Sequence, residues 1–251
     1  MKLIWTYNNT SKSLSDRDRL ILINYYISSI YSAKKLDYET IMYCSLEEQN
    51  FWLEYCDEVI PVTNQFYLDS PLWDSFKIFV IENRDDEYCL IDGDLILHNR
   101  LPKFTEQIIF DSYEILNWET EYKPTITTLT ELCIGDEIYL WGDERVPVMS
   151  CGILHIKDKN ISEMYVNVWK MFNQFIIRNK FKVDTYRATA VGAQYLLSVI
   201  VHKMKLSTQK LCESFGKKCE YYIHHFGDQK YKNPIVPTDN FIEINTKSKL
   251  F

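Results

Sequence analysis

Four apolar residues, Tyr88-Cys89-Leu90-Ile91, run straight into Asp92-Gly93-Asp94 before apolar character resumes at Leu95-Ile96-Leu97. A strand with no polar face has to be covered on both sides, as at the centre of a parallel sheet. The preceding residues read as the parts of such a sheet. Lys2–Thr6 is a short apolar strand. Ser15 is a predicted N-cap, with Asp18 three residues on, and Leu20, Ile23, Ile27, Ile30 and Tyr31 recur at helical spacing to about Lys35. Glu39–Cys44 is a second strand, Leu46–Tyr55 a helix and Glu58–Val62 a third strand. After Pro71, Leu72–Glu82 is a helix with Trp73, Phe76, Lys77 and Val80 towards one face. Strands alternating with helices in this order predict an α/β fold whose first half is a doubly wound, nucleotide-binding βαβαβ unit.

The second half is expected to carry strands near Gln107–Phe110, Ile138–Leu140 and Met149–Ile156. A helix capped by Asn160 with Glu163 follows, then one from about Arg187 to Met204, and an extended tail from Tyr231. No repeat, linker or break in composition divides the chain, and 251 residues suit one core. The expectation is a single domain, with 1–97 as the nucleotide-binding half, 98–230 as the acceptor and donor-sugar half, and 231–251 as a tail.

A formal net charge of −7 argues against non-specific nucleic-acid binding, which rests on Lys and Arg contacts to phosphates. The seven cysteines form no C-x-x-C pair, so neither a zinc site nor a disulfide framework is indicated. With no apolar leader in MKLIWTYNNT and no run of membrane-spanning length, the expected location is the cytoplasm. Lys247-Ser248-Lys249-Leu250-Phe251 is basic with an apolar end, which permits at most weak contact with a membrane surface.

Ligands of open α/β sheets bind beyond the carboxyl ends of the strands. Asp92 and Asp94 stand at that point, and one intervening Gly lets both carboxylates reach the same hard cation. A second pattern lies near the other end, His224-x-x-Gly227-x-x-Lys230. An imidazole can complete a carboxylate metal site and shifts its preference from Mg²⁺ towards Mn²⁺. Gly227 lets backbone approach a diphosphate, and Lys230 offers it a point charge.

Together these motifs resemble the DxD-containing GT-A glycosyltransferases, specifically the glycogenin and lipooligosaccharide galactosyltransferase type (family 8-like). That resemblance implies a GT-A, Rossmann-like fold with a mixed, mostly parallel central sheet and flanking helices. It implies Asp92, Asp94 and His224 as ligands of Mn²⁺ or Mg²⁺, and Gly227 and Lys230 as diphosphate-binding positions. Trp73 and Lys77 match the helix that contacts donor phosphate or sugar. Gly152, in Met149-Ser150-Cys151-Gly152, matches an N-x-G segment beside the donor sugar, with Ser150 where the family has Asn. Gln194 matches the Gln of a D-Q-x-x-L segment under the anomeric carbon, with Ala193 in place of the acid. Tyr7 ends a strand where such enzymes seat the nucleotide base. Tyr231-Lys232 replaces the family's final Pro-Trp.

The resemblance implies a metal-dependent transferase that moves a sugar from a nucleotide-diphosphate donor, UDP-linked in expectation, to a hydroxyl acceptor with retention. Asp92, Asp94 and Gln194 carry the chemistry in that reading. Two alternatives stand beside it. The chain could be a scaffold that kept nucleotide-sugar binding and lost turnover, as Ala193 and Ser150 suggest. It could also be a nucleotidyltransferase, although the Gly-rich basic loop of sugar nucleotidyltransferases is missing after the first strand.

Overall fold

The computed structural model describes residues 1–8, 14–114, 118–133, 145–213, 219–225 and 231. Its frame is a seven-stranded sheet of order β3-β2-β1-β4-β7-β6-β8. The strands are β1 (Lys2–Tyr7), β2 (Glu39–Cys44), β3 (Glu58–Pro61), β4 (Tyr88–Ile91), β6 (Ile108–Phe110), β7 (Ile153–Ile156) and β8 (Thr208–Lys210). β7 alone runs against the rest, pairing antiparallel with β4 and β6. A separate two-stranded ribbon joins β5 (Leu95–Leu97) to β9 (Tyr222–His224). The mixed, mostly parallel sheet expected from the sequence is thus present, with helices on both faces.

Alternation along β1 shows why both faces are apolar. Leu3, Trp5 and Tyr7 enter one core with Ile23, Ile27 and Ile30 of helix α1 (Asp16–Lys34), whereas Ile4 enters the other. That second core is closed by α4 (Ser75–Asn83), α6 (Lys159–Asn179) and α8 (Leu196–Met204). The remaining helices among the described residues are α2 (Gln49–Trp52), α3 (Gln65–Leu68), α5 (Lys123–Leu132) and α7 (Thr185–Ala190). Five of the seven cysteines are buried and all are free thiols.

Several predicted boundaries shift for identifiable reasons. Ser15 caps α1 as expected, accepting from the Asp18 amide at 3.2 Å. The predicted helix 46–55 is a 3-10 turn, Leu46–Glu48, followed by the four residues of α2, because Tyr55 and Cys56 already turn back on the Trp52 carbonyl. α4 starts at Ser75 rather than Leu72. Asp74 precedes it without capping it, its carboxylate accepting instead from Trp169 Nε1 at 3.1 Å. Asp158, not Asn160, caps α6. Asp184 caps α7, and the run to Met204 passes through a π-turn at Val191–Tyr195. The strand expected over 149–156 is regular only from Ile153, since the Cys151 carbonyl turns to accept from Lys77 Nζ at 3.2 Å. Ile138–Leu140 and the tail beyond Tyr231 lie outside the described residues. Among the described residues no helix is long and apolar enough to cross a membrane.

Candidate metal centre

Three chain segments end at one rim of the sheet. β4 runs out into Asp92, β6 into Asp111, and the reversed β7 enters from Gly152. Backbone hydrogen bonds stitch them together: the Asp92 amide donates to the Gly152 carbonyl at 2.8 Å, and the Asp111 amide to Ser150 at 3.3 Å.

The ribbon brings the fourth segment. Leu95 of β5 pairs with His224 of β9, and the His225 amide donates to the Asp94 carbonyl at 2.9 Å. Two buried serines of α1 fix the ribbon in place. Ser29 Oγ donates to the Leu95 carbonyl at 2.5 Å while accepting from Trp5 Nε1 at 2.9 Å, and Ser32 Oγ accepts from the Leu97 amide at 2.9 Å. A helix-face serine normally offers little to a core; here each satisfies backbone that the sheet leaves unpaired.

Asp92, Asp94 and His224 therefore meet, with one ligand atom from each lying within 4.8 Å of the others. His224 Nε2 is 3.3 Å from Asp94 Oδ1 and 4.0 Å from Asp92 Oδ2. Two carboxylates and an imidazole form a mixed O/N donor set suited to Mn²⁺, Mg²⁺ or a later divalent ion, so the residues fit the cation that the sequence implied. Burial pushes the His224 imidazole down, but hydrogen bonds and charge from Asp111 and Asp94 outweigh it and raise it to about 10. A proton shared with Asp94 sits where a cation would sit, so the two compete for one place.

Lys77 balances this acidic group. Its Nζ is ion-paired with Asp92 Oδ1, and although burial opposes the charge, Asp92 raises the ammonium above its ordinary value. Both neighbouring glycines are sterically required. A Cβ at Gly93 would meet the Tyr26 ring at 2.2 Å, and one at Gly152 would meet His224 Cε1 at 2.4 Å. Gly152 therefore makes room for the imidazole, beyond any part it has beside a donor.

The other predicted positions distribute unevenly. Trp73 is 41% exposed, with Lys77 Nζ 6.0 Å from its ring centroid. Tyr7 is buried, its ring centroid 5.3 Å from that of Tyr26 and 5.1 Å from that of Trp52. Gln194 is half-buried and hydrogen-bonded to the Tyr122 hydroxyl, which also reaches Glu114 at 2.8 Å. Ala193 presents only its carbonyl, accepting from Tyr165 at 2.8 Å. Gly227 and Lys230 lie outside the described residues.

Sequence reasoning missed Asp111, Tyr222 and the task of Ser150. Asp111 is 2% exposed and accepts from His224 Nδ1 at 2.7 Å, from Ser150 Oγ at 3.2 Å and from the Tyr222 hydroxyl. One signal was available: an acid directly after the apolar run Ile108-Ile109-Phe110 repeats the strand-to-acid pattern of β4.

No known protein family matches the chain, and no curated protein matches it. Sixteen chains among the solved structures align with it, including the following three. A galactosyltransferase, LgtC, in complex with donor and acceptor sugar analogs gives a TM-score of 0.43 at 12% identity, over 76% of this chain and 70% of that one. An active-site mutant of LgtC gives 0.44 at 11% identity, over 76% and 69%. Apo mouse xyloside xylosyltransferase 1 gives 0.45 at 10% identity, over 84% of each chain.

Proposed function

We propose that this chain is a metal-dependent glycosyltransferase of GT-A type, moving a sugar from a nucleotide-diphosphate donor, UDP-linked in this reading, to a hydroxyl acceptor with retention. The observation that carries the proposal is the meeting of Asp92, Asp94 and His224, from segments 130 residues apart, at the carboxyl ends of the central strands. Ligands of such sheets bind there.

A divalent ion held there supplies neutralisation of the charge that develops on a departing diphosphate, doing without a dedicated proton donor. In this reading Asp92 and Asp94 hold the ion from the sheet side and His224 from the ribbon. Lys77 offsets one of the two carboxylates, which keeps the pair close together. Gly227 and Lys230 take the diphosphate, Trp73 and Tyr7 lie towards the nucleotide and sugar, and Gln194 faces the reacting carbon. The Tyr122 hydroxyl supports that role by fixing the Gln194 amide. An amide is a poor nucleophile, so Gln194 orients and stabilises while the acceptor hydroxyl attacks from the leaving-group face, its proton passing to the diphosphate oxygen as the bond between that oxygen and the sugar carbon breaks.

Ala193 favours a second reading, a protein that binds donor without turning it over, because no carboxylate occupies that position. Incubation with nucleotide sugars and Mn²⁺ separates the readings. Nucleoside diphosphate release supports transfer, pyrophosphate release when a nucleoside triphosphate and a sugar phosphate are supplied instead supports nucleotidyl transfer, and donor binding without release supports the scaffold.

A further inference from the structure

We propose that Asp111 is a positioning residue: it holds the His224 ring with Nδ1 protonated, so that Nε2 is the nitrogen presented to a cation between Asp92 and Asp94. The inference rests on the metal-centre reading above and adds a residue to it.

Asp111 is an expensive group to keep where it is. It is 2% exposed, and among the described residues its one ion-pair partner is His224. A carboxylate withdrawn from water without a Lys or Arg needs hydrogen bonds to survive. Asp111 has them from three side chains, and two come from the same strand. Tyr222 and His224 are two residues apart on β9, so strand alternation puts both on one face, where each oxygen of Asp111 takes one of them. Ser150 adds a third bond, to the oxygen that already holds His224.

That arrangement dictates what the imidazole can do. A ring that donates from Nδ1 to a fixed carboxylate has Nε2 left for the cation once the proton shared with Asp94 is displaced, and a carboxylate behind the ring increases its basicity. Here Nε2 is the nitrogen that lies 3.3 Å from Asp94 Oδ1. Gly152 completes the slot, since a side chain there would strike both His224 and, at 3.1 Å, Asp111 Oδ2.

Mn²⁺ binding to the full chain, followed by the loss of the free-ion EPR signal, tests this without reference to turnover. The wild type should bind, and Asp94→Ala should not. Asp111→Asn should weaken binding about 10- to 100-fold. The decisive comparison is a double-mutant cycle: in a His224→Ala background, adding Asp111→Asn should change the affinity less than about twofold. Asp111→Asn binding like the wild type, or losing as much with His224 absent as with it present, would overturn the proposal while leaving the metal centre standing. A wild type that binds no Mn²⁺ would overturn the metal centre and Asp111's part with it. If Asp111→Asn does not fold, nitrogen-15 NMR of the Cd²⁺-loaded wild type decides. His224 protonated at Nδ1 and bound through Nε2 supports the proposal, and binding through Nδ1 overturns it.

Discussion

Leu95 and His224 face each other across the β5–β9 ribbon, and this one pairing joins the two ends of the chemistry. Leu95 directly follows Asp94, so its partner in an antiparallel register is delivered to the carboxylates whatever the intervening 128 residues do. The ribbon has three residues per strand and could not stand alone. It is held by the buried hydroxyls of α1.

Ser29→Ala should therefore weaken the site from a distance. It leaves Trp5 Nε1 and the Leu95 carbonyl without their buried partner, at a cost of about 1–3 kcal/mol in urea unfolding. Mn²⁺ affinity should fall with it, although Ser29 meets Asp92 only at its backbone carbonyl, at 3.5 Å, and not at the carboxylate.

Gly152→Ala should be more damaging to the site than to the fold. The added methyl meets the imidazole at 2.4 Å and must displace it. Overpacking of this kind costs about 1–3 kcal/mol. Titration with Mn²⁺ should show at least a tenfold loss in affinity, close to the loss in His224→Ala.

Asp74 should make stability depend on pH. Burial pushes its carboxyl up to about 7, against the opposing Trp169 hydrogen bond and Lys77 charge, and its Oδ1 has no partner among the described residues. An unfolded aspartate titrates near 3.8, so between those values the folded chain holds a proton that the unfolded chain has released. This group's contribution is fully present below about pH 4, falls as pH rises, and levels off above about 7. Denaturant unfolding from pH 4 to 8 should show the decline in the wild type, and Asp74→Asn should flatten it.

Gln194→Ala should separate binding from chemistry. Mn²⁺ and donor affinity should stay within about twofold of wild type while kcat drops by about 100-fold, as for a group acting chiefly on the transition state. Tyr122→Phe removes the hydroxyl that fixes the Gln194 amide and should lower kcat about tenfold, with KM little changed.

The sequence made the first half of the fold legible because its signals are local. An all-apolar strand ending in Asp92-Gly93-Asp94 and the Ser15 cap need no distant partner to be read. His224 was legible through its spacing to Gly227 and Lys230. Asp111 was not, because its meaning depends on β6 lying next to β7 and on β9 folding over both, pairings that no short window contains. Gly152 could be matched to a motif, but only the packing shows that its missing side chain is the space His224 fills. Asp74 misled for the opposite reason. It reads as an ordinary residue of a helical run, and a tertiary bond to Trp169 takes its carboxylate away from the helix end.

The central claim is that Asp92 and Asp94 hold a cation for sugar transfer. It is tested most directly by nucleoside diphosphate release from a panel of nucleotide sugars, with Mn²⁺, Mg²⁺ or chelator, on wild type and on the Asp92→Ala/Asp94→Ala double variant. Mn²⁺-dependent release from one donor is expected, slow without acceptor, and reduced at least 100-fold by chelator or by the double substitution. Undiminished release in the double variant, or a wild type that binds neither nucleotide nor Mn²⁺, would contradict it.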